Sequence, residues 1–126
     1  MLIIDAQEFR VLTTTRRMET SDERIRIFGT VRDVENFIII DDSLPESRKA
    51  EILLHEMIHV AEPMLHEDAV NGVSTKLYGY LATNSMLASN FLSNAVDGEA
   101  TAEEVDEVMR VFEAQAEATA MPFAAK

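Results

Sequence analysis

An α+β fold is predicted for this chain: a small antiparallel sheet over about residues 1–41, a helix over about 45–61, a second over about 67–82, and a C-terminal helical extension over about 85–119. Three observations predict it. The first forty residues hold short β-branched and alternating runs, Ser43-Leu-Pro-Glu46 then opens a stretch without breakers, and apolar residues recur at helical spacing from there to the C-terminal third. With 126 residues and 47% hydrophobic composition the chain has room for one domain with a modest core.

The strands are read first. Phe9-Arg-Val-Leu-Thr-Thr-Thr15 is rich in β-branched residues, and Arg24-Ile-Arg-Ile-Phe28 alternates polar and apolar, as a half-buried strand does. Asn36-Phe-Ile-Ile-Ile-Asp41 is continuously apolar at its centre, so it is expected to be covered on both faces or to lie beneath a helix. Gly29, Asp33 and Asn36 supply breaks, which makes an antiparallel meander the simplest arrangement, with Leu2-Ile-Ile4 as an edge strand.

Helix signals follow. Ser43 with Glu46 three residues later has capping-box spacing, Pro45 suits a first turn, and Pro63 disfavours helix at Glu62. Glu67 and Asp68 are acidic where the next helix begins, and Val70, Val73, Leu77, Tyr80 and Leu81 form its expected core stripe. Thr101-Ala-Glu-Glu104 is a second capping-box match, leading into Val105, Val108, Met109 and Phe112. Residues 121–126 read as a frayed tail.

Charge and composition exclude several functions. Eleven Lys and Arg against 23 Asp and Glu give a net charge of −12, which disfavours nucleic acid and anionic membrane as partners. There is no Cys, so disulfides and thiolate chemistry are excluded and any metal must be held by His and carboxylates. Neither a basic, apolar leader nor a membrane span is visible, and a cytoplasmic location is expected. Residues 85–126 carry eight acidic and two basic groups. Glu103, Glu104, Glu107 and Glu113 are expected on a solvated helix face, the alternative being a surface for a basic partner.

All three His lie between positions 55 and 66. In Ile52-Leu-Leu-His-Glu-Met-Ile-His-Val-Ala61, His55 and His59 fall one turn apart on one helix face, where they can share an ion, and Glu56 can reach a water on it. This is the His-Glu-x-x-His arrangement of zinc hydrolases. Every other position from Ile52 to Ala61 is apolar, so the helix is expected to be buried, and a divalent cation would offset the cost of burying a carboxylate beside two imidazoles. The alternative is a cluster satisfied by internal hydrogen bonds alone.

Zinc needs a third protein ligand. Glu67, in the first turn of the returning helix, is the preferred candidate; His66 is the rival, and Glu62 and Asp68 are weaker. For oxyanion stabilisation the available groups are Tyr78 and Tyr80, more commonly core residues on such a stripe, and His66 if it is no ligand.

Gly29-Thr-Val-Arg32, Phe37-Ile-Ile-Ile-Asp41, Lys49 to His59, Glu67 to Ser74 and Leu77 to Asn84 together resemble the small phage- and prophage-encoded zincin-like proteins, relatives of the ImmA/IrrE metallopeptidases. The resemblance covers about residues 28–84. It implies a minimal zincin, in which a short antiparallel sheet packs on the active-site helix and zinc is held by His55, His59 and a glutamate that Glu67 matches. Val70 and Ser74 stand where alanines are common in those relatives.

The expected activity is a zinc-dependent metallopeptidase acting on a peptide or protein, with a metal-activated water and Glu56 as general base. A peptide would align along a strand edge near Ile38 to Asp41. The alternative is a zinc-stapled structural or interaction domain that cuts nothing.

Overall fold

The computed structural model describes residues 1–19, 26–32 and 36–119. In chain order its elements are β1 (Leu2–Ile4), β2 (Gln7–Thr14), β3 (Met18–Glu19), β4 (Arg26–Ile27), β5 (Gly29–Arg32), β6 (Phe37–Asp41), α1 (Glu46–Ala61), α2 (Glu67–Thr83), α3 (Phe91–Ala95), β7 (Gly98–Glu99) and α4 (Ala102–Thr119). The class is α+β, with a small mixed sheet and four helices among the described residues.

Strand order departs from the expected meander. β6 lies between β2 and β5, parallel to β2 (Arg10 opposite Phe37, Thr14 opposite Asp41) and antiparallel to β5 (Gly29 opposite Ile40). The reason is burial. All five residues of β6 are buried, and a strand that must be covered on both faces is more stable in the middle of a sheet than at its edge. The Ile38 to Asp41 edge is therefore already paired on both sides and is not open to a peptide. Among the described residues β5 carries no strand on its outer side.

The expected edge strand Leu2–Ile4 is present and pairs antiparallel with β2. Asp5 and Ala6 join the two with positive φ of 49° and 66°, as a two-residue hairpin turn requires. The segment expected as one strand over 24–28 divides at Phe28: Arg26–Ile27 pairs with β3 in a separate two-stranded sheet, and residues 24 and 25 lie outside the described residues.

Side chains alternate across β6, and so does the core. Ile38 and Ile40, with Phe9 and Val11, pack on Ile52 and Leu53 of α1 and Leu92 and Ala95 of α3. Phe37 and Ile39, with Leu12, pack on Met18, Ile27, and Val105 and Val108 of α4. The sheet is thus covered on both faces, by different helices.

The helices start for different reasons. At α1 the expected Ser43 capping box does not form: the N-cap is Pro45, with no side-chain cap. Ser43 instead donates from its N and Oγ to Asp41 Oδ1 at 2.9 and 2.7 Å. At α4 the capping box forms in both directions, Glu104 N donating to Thr101 Oγ1 (3.1 Å) and Thr101 N to Glu104 Oε1 (2.8 Å). Glu104 also pairs with Arg10 at 2.8 Å and Asp106 with Arg16 at 2.8 Å. Part of the acidic C-terminal third therefore binds α4 to β2 instead of forming a purely solvated face.

The expected helical extension over 85–119 is interrupted. After α3, Asp97 accepts from Val11 N (2.7 Å) and β7 pairs parallel to β2 at Leu12 and Thr13. Gly98, with φ +158°, starts this short strand, and Ala100 N donates to Thr13 O at 2.8 Å. Residues 121–126 and the side chains of Phe112 and Glu113 lie outside the described residues. No described helix is long and apolar enough to cross a membrane.

α2 returns antiparallel along α1, and the expected stripe is covered only in part. Val70 is 0% exposed and Ser74 is buried, whereas Val73 is 48% exposed, with Leu77 and Tyr80 also exposed. The contact face with α1 runs through Glu67, Val70 and Ser74, and this places Glu67 beside His59.

Candidate metal centre

No residue of α1 between Glu51 and Val60 is exposed, as its apolar surroundings lead one to expect. Helical periodicity turns His55 and His59 towards Glu67 of α2, while Glu56 lies between them and Gly29 of β5. The connection from Glu62 to His66 then brings Glu67 over the last turn of α1.

Three ligand atoms converge. His55 Nε2 lies 3.0 Å from His59 Nε2, and Glu67 Oε1 lies 3.0 Å from the first and 2.9 Å from the second. His55, His59 and Glu67 form a group that could hold a metal ion. Zinc held by these three side chains would keep a fourth position for water or substrate, as catalytic zinc sites do.

Hydrogen bonds alone fit this triangle poorly. Each neutral imidazole has one N–H, and a carboxylate has none, so at most two of the three short edges can carry a hydrogen bond. If both Nε2 atoms carry protons, the two N–H groups face each other. One cation satisfies all three edges.

The electrostatics agree with the geometry. Burial works to raise the Glu67 pKa, but hydrogen bonds from His55 and His59 and their charges outweigh it and hold the carboxyl at about 2. For His55, burial works downward and is outweighed by the hydrogen bond to Glu67 and the charges of Glu56 and Glu67, so its pKa is raised. Ser74 Oγ lies 3.5 Å from His55 Nδ1, the ring nitrogen away from Glu67, where a hydroxyl can orient a ligating imidazole.

Glu56 is set differently. It is 2% exposed, and burial pushes its pKa up to about 7 against the opposing charges of His55 and His59. Its Oε1 has no hydrogen-bond partner among the described residues. An orphaned buried oxygen costs about 1–3 kcal/mol, a cost that persists in proteins chiefly where a ligand or a reaction uses the atom.

Gly29 of β5 permits this packing. A Cβ there would lie 2.3 Å from Ile52 Cγ2 and 3.3 Å from Glu56 Oε2. Only a glycine lets the strand approach α1 so closely. Between them lies a cleft of about 150 Å³, bounded by Phe28 and Gly29 of the sheet side, Arg48, Glu51, Ile52, His55 and Glu56 of α1, and Glu67, Asn71, Ser74 and Thr75 of α2.

The other candidates lie elsewhere. His66 is not the third ligand position: it caps α2, its Nδ1 accepting from Asp68 N at 3.3 Å, and its side chain is 71% exposed. Glu62 and Asp68 are exposed. Tyr78 lines a separate groove with Ser47 and Ala50, eleven positions and about 16 Å along the helix axis from Glu67. Tyr80 is 64% exposed, and neither tyrosine lines the cleft.

Sequence reasoning took Gly29 as a strand break and gave Arg48 and Ser74 no chemical role. Ser74 could have been found from its spacing, seven positions after Glu67 on the same helix face. Gly29 carried no such signal, because its closeness to Glu56 is set by tertiary packing. Comparison of the chain with protein-family models, curated proteins and solved structures returns no match.

Proposed function

We propose that the chain is a zinc-dependent metallopeptidase of the minimal zincin type, related to the ImmA/IrrE metallopeptidases and working in the cytoplasm. The observation that carries this reading is the triangle of His55, His59 and Glu67 atoms at a cleft that His55, Glu67 and Glu56 line, with Glu56 Oε1 unpartnered among the described residues. The donor set fits zinc, which takes His and carboxylate ligands and keeps a position open in catalytic sites. When bound, zinc supplies Lewis acidity, which acidifies water and polarises a carbonyl.

The remaining work falls to the chain itself. Glu56, buried beside the two histidines, accepts a proton from the attacking water and passes it to the leaving amine as the C–N bond breaks. The outer edge of β5 orients an extended peptide backbone, and Gly29 lets that strand pack close to Ile52 and Glu56 of α1. His55 and His59 would hold the metal through Nε2, and Glu67 would add a carboxylate charge that its hydrogen bonds keep in place well below neutral pH.

Glu56→Gln tests the reading. It keeps size and burial but removes the base, so zinc content and folding should be retained while cleavage of a peptide library falls about 10²- to 10⁴-fold. A second reading, a zinc-stapled interaction domain, is favoured by the exposed stripe Val73, Leu77 and Tyr80 on α2. If zinc-loaded wild type cuts no peptide in the library, and Glu56→Gln behaves identically, that second reading replaces the first.

A further inference from the structure

The cleft extends well past the metal-ligating side chains. Arg48 and His55 are seven positions apart on α1, nearly two full turns, so they share a face and lie about 10 Å from each other along the axis. Both line the cleft. It therefore has a metal-ligating end and a cationic end.

Arg48 is held in place but not saturated. Arg48 Nη1 forms an ion pair with Glu51 Oε1 at 3.2 Å, while Glu51 Oε2 accepts a hydrogen bond from Thr75 Oγ1 at 3.0 Å. Both Glu51 oxygens are thus engaged, by α1 on one side and α2 on the other. The guanidinium offers five N–H donors, and Glu51 is its partner among the described residues. At 38% side-chain exposure it is accessible to a ligand. The unspent hydrogen-bonding capacity at this end of the cleft is donor capacity on a cation, and its complement is a carboxylate.

We propose that Arg48 makes the cleft selective for peptides bearing a carboxylate that reaches about two helical turns along α1 from His55. This rests on the metallopeptidase reading and adds a substrate class to it. An extended peptide advances about 3.3 Å per residue, so the carboxylate is either a Glu side chain one or two residues from the cut or the C-terminus of a short peptide. Both sources offer Arg48 the same planar pair of oxygens. Glu51 and Thr75 are positioning residues for the guanidinium.

The test uses zinc-loaded protein and two pairs of peptide hydroxamates, which anchor on the metal without being cleaved. One pair differs as Glu against Gln with an amidated end, the other as free C-terminal acid against amide. In at least one pair the acid should bind about tenfold more tightly to wild type, the lower range of a charge-assisted hydrogen bond. Arg48→Gln should bring that ratio close to one, and Arg48→Lys should keep part of it. The pair that discriminates identifies the source of the carboxylate. Ratios near one in wild type overturn the inference, and this arm needs no variant to fold. A ratio that survives Arg48→Gln also overturns it. If no hydroxamate binds zinc-loaded protein, the metallopeptidase reading fails and this inference fails with it, a result distinct from equal binding of acid and neutral members.

Discussion

Two glutamates eleven positions apart are driven in opposite directions by their surroundings, and the difference has a pH signature. Glu56, buried without a partner, titrates near pH 7, while Glu67, hydrogen-bonded to two imidazoles, titrates near pH 2. A carboxyl whose folded pKa is raised contributes stability at low pH that is lost as pH rises, because the unfolded chain releases the proton first. In metal-free protein the Glu56 contribution should therefore decline between about pH 4.5 and about pH 7, by about 3 kcal/mol. Glu67 has the reverse sign: its contribution is present above about pH 4.5 and is lost as pH falls towards 2. Urea denaturation of chelator-treated protein across this range should show the decline in wild type and not in Glu56→Gln. Equal slopes in the two proteins would mean that Glu56 is ionised in the folded state at neutral pH.

Elements differed in how much of their placement was written in local sequence. α1 and α2 were legible almost to the residue, because Pro45, Pro63 and the acidic start at Glu67 bound them. Thr101 and Glu104 cap α4 as their spacing implies, whereas Ser43 has the same spacing and is diverted to Asp41. Thr101→Ala should accordingly cost about 1 kcal/mol in thermal or urea melts. The position of β6 was legible in its unbroken apolar run, but its parallel pairing with β2 depends on strand order, which no local pattern encodes. The apolar stripe of α2 was misread for a related reason. Val70 and Val73 both fit helical spacing, and only the packing of α2 on α1 decides which is covered. Val70→Ala should cost about 2 kcal/mol and Val73→Ala less than about 0.5 kcal/mol, read from the same melts. Similar losses at the two positions would contradict the observed rotation of α2.

Across the whole molecule, the sheet serves as a two-sided scaffold. One face carries α1, and hence His55, His59 and Glu56 of the candidate metal centre, while the other is closed by α4 through Val105, Val108 and the Arg10 and Arg16 ion pairs. The His-Glu-x-x-His motif made most of the candidate centre legible in the sequence; Glu67 followed from the length of the connection. The cleft was not legible, because it is formed where β5, α1 and α2 meet and its walls come from residues 28 to 75. A ligand that binds only the folded chain stabilises it by mass action, so the centre should be load-sensitive as well as occupied. The central claim is the three-residue metal centre, and elemental analysis of protein purified without chelator and equilibrated with zinc tests it most directly. The expected result is about one zinc per chain in wild type, Glu56→Gln and His66→Ala, and a large loss in His55→Ala, His59→Ala and Glu67→Ala, each checked for folding by circular dichroism. Wild type protein that binds no metal, or folded Glu67→Ala that binds it as wild type does, would contradict the account.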